Sequence, residues 1–178
     1  MLWLSNSTLA RLRDQLQARG QRPSVVPPAG VSPENAELLA ITAEYGPLCE
    51  AMYLMMSADG KVSDEEREVL RGALRNLSGD AIRSAHIESM LDAAVKTVQD
   101  EGREERMQAV IEGLKEDKPR AEVAFVLAAA IAFADNAIAD EENETLNAMA
   151  EGLGIDEARA NELLDDVEKD LAQGAKGS

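Results

Sequence analysis

The chain of 178 residues contains very few cysteine, histidine and aromatic residues. Cys49 is its only cysteine and His86 its only histidine, which excludes an internal disulfide and a zinc site built from several such ligands. Aromatic residues make up 3% of the chain. The core must therefore be built from leucine, alanine, methionine, isoleucine and valine, a set that favours packed helices over a sheet.

Basic residues are also scarce. The chain has 18 Lys and Arg residues against 34 Asp and Glu residues, so its formal net charge is −16. Such a charge argues against binding of nucleic acid or of an anionic membrane surface. Hydrophobic residues nevertheless make up 45% of the chain, which is typical of a globular protein and not of an acidic disordered tail.

Long hydrophobic runs are absent. The longest covers residues 123–134, whereas a bilayer span needs roughly 20 apolar residues, so direct membrane insertion is not expected. No export signal, glycine-rich phosphate loop or nucleophile elbow is recognisable. Together with the single cysteine, these features favour a cytoplasmic protein without an organic cofactor.

The chain is predicted to divide into a basic arm, residues 1–31, and a domain, residues 32–178. Four arginines against Asp14 give the first thirty residues a net charge of +3, which leaves −19 for the remainder. Leucines at helical spacing predict a short amphipathic helix over residues 7–19, and the proline-rich stretch 20–30 is typical of a linker. The arm either docks onto a partner or a membrane, or packs back on the domain.

Every segment after Ser32 has the pattern of a helix. Pro33 is a favourable first helical residue, and Gly46-Pro47 predicts a break or kink in the helix that it opens. Further helices are expected at about 47–57, 64–77, 80–99, 103–116, 119–134, 140–152 and 157–172. The sequence therefore predicts an all-α fold, a compact bundle of about seven to eight helices.

An internal repeat with a spacing of 76 residues is the most informative feature. Residues 58–70 read ADGKVSDEEREVL and residues 134–146 read ADNAIADEENETL, with seven of thirteen positions identical. Each copy follows an apolar segment and opens an amphipathic one. This predicts a helix-loop-helix unit made twice, in a pseudo-twofold arrangement.

Each loop matches the second half of an EF-hand calcium loop, whose ligands are oxygen atoms. The first half of that motif is missing, so one loop alone offers too few ligands for Ca²⁺. Two loops side by side could share one hard divalent cation, namely Ca²⁺, Mg²⁺ or Mn²⁺. The predicted metal ligands are Asp59, Glu66, Asp135 and Glu142, with Asp64 and Asp140 in reserve.

Two other interpretations of the loops stay open. Ser63 and Glu66 have the spacing of a capping box, and acidic residues in a first turn are favourable with the helix dipole. The second copy has Ala139 in place of the serine, so it cannot form that box, yet it retains Glu142. The third interpretation is an acidic surface that docks a basic protein partner.

The residues with reactive or adaptable side chains do not indicate an enzyme. Cys49 lies in an apolar helical stretch and is expected to be a buried structural thiol, and His86 is expected on a helix surface. Met52, Met55 and Met56 fall at helical spacing and are expected in the core. We therefore expect no catalytic activity.

The phrase A-D-G-x-[VI]-x-x-x-E, placed after an apolar helix and repeated once, resembles the TerB-like family of tellurite-resistance proteins. The similarity covers roughly residues 35–172 and extends to the all-helical domain that begins the DjlA co-chaperones. Here the second loop departs from the family pattern, with Asn136 in place of glycine.

The resemblance implies a bacterial cytoplasmic stress protein without established catalysis. It also implies acidic residues clustered as a metal site at Asp59, Glu66, Asp135 and Glu142, and protein partners that are membrane-associated. A domain of charge −19 repels an oxyanion, so a cation or a basic partner is the expected ligand, not tellurite itself.

Overall fold

A computed structural model describes residues 32–58, 62–77, 82–133 and 140–176, together with the isolated positions Asp14 and Gly30. Within these stretches the regular elements are seven helices, and none is a strand, which confirms the all-α prediction. The helices are α1 (Pro33–Met56), α2 (Asp64–Leu77), α3 (Ser84–Glu101), α4 (Arg103–Leu114), α5 (Lys118–Ala132), α6 (Asp140–Gly152) and α7 (Glu157–Lys176). The amphipathic helix predicted over 7–19 lies outside the described residues.

Of the break or kink predicted at Gly46-Pro47, the break is wrong, because α1 continues through Pro47 as one helix of 24 residues. A proline inside a helix costs about 3 kcal/mol, since it removes a hydrogen bond and crowds the preceding turn. The two turns after Pro47 bury Leu48, Cys49, Met52 and Leu54 completely. Burial of each large apolar side chain contributes about 1.5–3 kcal/mol, which is enough to keep the helix continuous.

Helix α5 forms the centre of the bundle. All residues from Val123 to Ala132 are buried, and the helix packs against α1, α2, α4, α6 and α7. A helix that is apolar all round has no solvent face, which explains the long hydrophobic run in the sequence. Asp117 caps its first turn by accepting a hydrogen bond from the backbone N–H of Arg120.

Two arginines join outer helices to the central ones. On α4, Arg106 donates to both carboxylate oxygens of Glu50 on α1, at 2.6 and 2.9 Å. On α7, Arg159 donates to both oxygens of Glu122 on α5, at 2.8 and 3.1 Å. Two-pronged pairs of this kind fix direction as well as distance, so they set the register of α4 and α7 on the bundle.

None of the helices in the described residues is both long and apolar enough to cross a bilayer.

Candidate functional site

The two acidic loops begin and end at matching helix boundaries. Helix α1 ends at Met56 and α5 ends at Ala132, while α2 begins at Asp64 and α6 begins at Asp140. In each case the second boundary lies 76 residues after the first. The two connections between these helices therefore have the same length, as the sequence alignment of the two loops predicts.

The central loop residues themselves, Asp59 and Asp135 among them, lie outside the described residues. Their role as cation ligands stays a prediction. The structure describes the helical turns that follow the loops, and these carry the other four predicted ligands.

Two of those four side chains are buried and two are exposed. Glu66 is 3% exposed and Glu142 is 5% exposed. Both occupy the third position of the helix that follows their loop. Asp64 and Asp140, at the first positions, are exposed. The repeat therefore places one carboxylate inward and one outward at each helix start.

In the first copy the predicted capping box is confirmed. The backbone N–H of Ser63 donates to Glu66 Oε2 at 2.8 Å, and the Ser63 hydroxyl donates to the same oxygen at 3.1 Å. The backbone N–H of Glu66 donates to Ser63 Oγ, also at 3.1 Å. These bonds satisfy backbone donors that a helix start otherwise leaves unpaired, and they account for the orientation of Glu66.

The second copy buries its glutamate without such a box. The residue three positions before Glu142 is Ala139, which has no side-chain oxygen to take the part of Ser63. The first turn of α6 nevertheless places Glu142 inward, next to the exposed Glu141. The two hydrogen bonds that the Ser63 hydroxyl makes in the first copy therefore have no side-chain counterpart here, although both copies bury the same carboxylate.

The flanks of the two loops line one cavity of about 480 Å³. Ala58, which directly precedes Asp59, lies on its wall together with residues from the first two turns of α6 and the first turn of α4. Those residues include Arg103, Glu104, Glu141, Glu144 and Thr145. The end of α1 and the start of α6 therefore meet at the same end of the bundle.

Arg103 connects these two flanks. Its Nη2 donates to the carbonyl oxygen of Leu54, in the last turn of α1, at 2.7 Å, and to Thr145 Oγ1, on α6, at 3.1 Å. The guanidinium is half-buried, and this desolvation lowers its pKa, while the nearby carboxylate of Glu104 opposes the shift. Carbonyl groups at a helix end carry partial negative charge, so a cation there is favourable.

Sequence reasoning did not identify Arg103. It lies in the charged stretch Gly102–Arg106, and its partners are 49 and 42 residues away. No local pattern in the sequence marks such a residue.

No three histidine, cysteine or acidic residues converge as a possible metal site within the part of the chain that the structure describes. A cation bound at this end of the bundle would therefore need ligands from the loop residues outside the described ranges. Asp59 and Asp135 are the acidic residues that the repeat places in the two loops.

The expected structural roles of Cys49 and the methionines are confirmed. Cys49, Met52, Met55 and Met56 are fully buried in the core. His86, expected on a helix surface, is half-buried on α3. Burial, assisted by the negative charges of Glu50 and Glu88, raises the pKa of the Cys49 thiol to about 12.

We expect the Cys49 thiol to resist modification at any pH at which the fold persists. Its raised pKa keeps the thiol protonated below about pH 12, and the nucleophilic form is the thiolate. With a chromogenic disulfide reagent at pH 8, the native chain should react at least a hundredfold more slowly than the chain in guanidinium chloride. Comparable rates in the two conditions would contradict the burial.

A family model described as "Tellurite resistance protein TerB" matches residues 48–165, about two thirds of the chain. The matched region begins within α1, ends within α7 and includes both acidic loops. Neither the curated proteins nor the solved structures include one that matches this chain.

Proposed function

Because this chain belongs to the TerB family, we propose that it is a non-enzymatic, tellurite-resistance-like module of the bacterial stress response. In this proposal its two acidic loops share one divalent cation, Ca²⁺, Mg²⁺ or Mn²⁺. The ligands are drawn from Asp59, Glu66, Asp135 and Glu142, with Asp64 and Asp140 close to them in sequence.

The burial of Glu142 is the observation that carries the proposal. Together with Glu66 it is one of the two least exposed carboxylates among the described residues. In the first copy the Ser63 hydroxyl contributes to this burial, whereas the second copy has alanine at position 139 and still buries the glutamate at the same helical position. A cation held by both loops would explain why the two copies bury the same carboxylate.

The chemistry of the donors restricts which ion fits. The proposed ligands are carboxylates only, and hard ions such as Ca²⁺, Mg²⁺ and Mn²⁺ prefer oxygen ligands. The formal charge of −16 favours any cation over the tellurite oxyanion. The link to tellurite resistance therefore passes through the cation or through a partner protein, in our proposal, and not through contact with tellurite.

A second candidate function is a pure protein-interaction scaffold. The observation that favours it is the complete capping box of Ser63 and Glu66, which needs no ion. In that case the acidic loops would order helix starts and attract a basic partner, including one that is itself membrane-associated.

Thermal melting with added chloride salts of the three ions distinguishes these functions. We expect at least one ion at millimolar concentration to raise the melting temperature, because an ion that binds only the folded state stabilises it by mass action. The Asp59→Ala, Asp135→Ala double variant should lose the rise. A matched double variant of exposed helical aspartates, Asp92→Ala with Asp165→Ala, should retain it.

Absence of any rise in the wild-type chain would favour the scaffold. A rise that survives the Asp59→Ala, Asp135→Ala substitutions would exclude these two residues as ligands.

A further inference from the structure

The cavity of about 480 Å³ at the loop end of the bundle continues as a groove between α4 and α6. Its α4 wall carries Glu104, Met107 and Ile111, and its α6 wall carries Glu141, Glu144 and Ala148. Both sets follow the spacing i, i+3, i+7, so each wall is one stripe of a helix. We call this set of six residues the acidic groove.

The acidic groove has an accessible apolar floor and a negatively charged rim. Met107 and Ile111 are half-buried, and Ala148 is exposed. The rim residues Glu104, Glu141 and Glu144 are all exposed. Arg103 lies on the wall of the same cavity and interacts with the charge of Glu104, so three carboxylates against one guanidinium leave the rim with a net charge of −2. A groove of this kind fits an amphipathic helix with a basic polar face.

The N-terminal arm has the complementary chemistry. Leu9, Leu12 and Leu16 follow the same i, i+3, i+7 spacing as the groove walls, and arginines 11, 13 and 19 surround them. The arm and the groove have opposite charges, and the sequence of the arm predicts one apolar stripe to match that of the groove. Residues 67–77 also combine a net positive charge with a leucine stripe, but Leu70, Leu74 and Leu77 are fully buried in the core and are not free to dock elsewhere.

The linker is long enough to bring the arm to the groove. The ion pair between Arg106 and Glu50 places the first turn of α4 level with Glu50, 17 residues into α1. At 1.5 Å per helical residue, Glu50 lies about 26 Å along the helix from the start of α1. The twelve residues 20–31 extend to about 40 Å, and their prolines favour an extended backbone.

From these observations we infer that residues 7–19 dock into the acidic groove of their own chain. The inference goes beyond the proposed cation site and does not depend on it. Attachment through a short linker gives the arm a high effective concentration at the groove, so a modest intrinsic affinity is sufficient. The arm would then compete with any basic partner for the same surface.

Cross-linking between two introduced cysteines tests the inference in the full chain, with EDTA present so that no divalent cation contributes. One variant combines Gln15→Cys in the arm with Gln108→Cys, on the groove wall. The matched variant combines Gln15→Cys with Asn161→Cys, exposed on α7 outside the groove. Cys49 stays in place because it is fully buried.

With a short bismaleimide we expect the groove variant to form an intrachain cross-link at least tenfold faster than the α7 variant. Adding Glu141→Lys and Glu144→Lys should remove most of this difference. Adding Glu157→Lys and Glu168→Lys changes the net charge by the same amount at exposed sites on α7, and this should leave the difference in cross-linking rate in place. Equal cross-linking rates in the two cysteine pairs would overturn the inference. Cross-linking mainly into dimers would also overturn it, since the arm would then occupy a second copy of the chain.

Discussion

Replacement of Arg103 by methionine is expected to lower the free energy of unfolding by about 1.5–3 kcal/mol, the range for loss of hydrogen bonds made by a charged group. The Arg103→Met chain keeps an unbranched side chain of similar reach but cannot donate to the Leu54 carbonyl or to the Thr145 hydroxyl. Both acceptors lie where α1 meets α6. The loss should therefore loosen the contact between the flanks of the two loops.

Urea denaturation of the Arg103→Met chain measures this effect. The matched control is Arg83→Met, because Arg83 is exposed just before α3 and its side chain makes no capping hydrogen bond to that helix. Arg103→Lys should recover part of the loss, since lysine keeps the charge but not the geometry of the guanidinium. If Arg103→Met and Arg83→Met unfold at the same urea concentration, Arg103 does not join the two flanks.

The Glu66→Gln, Glu142→Gln double variant is expected to bind the proposed cation at least tenfold more weakly than the wild-type chain. Glutamine keeps the size of each side chain but removes the negative charge that a hard ion prefers. It can also accept the hydrogen bonds of a capping box, so the contacts of Ser63 should survive. The metal-free stability of the chain should therefore change little, which separates a role in capping from a role in cation binding.

The repeat supplies a closely matched control for that variant. Glu65 and Glu141 each precede a buried glutamate by one position, and both are exposed. The Glu65→Gln, Glu141→Gln variant changes the net charge by the same amount at the same two helix starts. Calorimetric titration should show near wild-type affinity for it. Equal weakening in both double variants would mean that the total charge attracts the ion, and that neither buried glutamate is a ligand.

Sequence patterns predicted those parts of the fold that depend on neighbouring residues. Helices 64–77 and 140–152 were expected at the bounds that the structure has, because acidic first turns and loop residues mark their ends locally. The break at Pro47 was predicted wrongly because contacts with distant residues decide the structure there. Local propensity opposes a helix there, whereas burial of Leu48 and Met52 against distant segments stabilises it.

At the candidate site, too, features set by neighbouring residues were predictable and features set by distant residues were not. The Ser63–Glu66 capping box was predictable because its partners are three residues apart. The interhelical role of Arg103 was not, since its hydrogen bonds cross 49 and 42 residues of chain. Glu142 was identified through the repeat, because it is the counterpart of Glu66, and the structure buries both.

The central claim is that the two acidic loops share one divalent cation. Calorimetric titration of the wild-type chain with Ca²⁺, Mg²⁺ and Mn²⁺ tests this claim most directly. We predict that at least one of the three ions binds with sub-millimolar affinity and a stoichiometry of one ion per chain. The Asp59→Ala, Asp135→Ala variant should show no binding. No binding of any of the three ions to the wild-type chain, or binding of two equivalent ions per chain, would contradict a shared site.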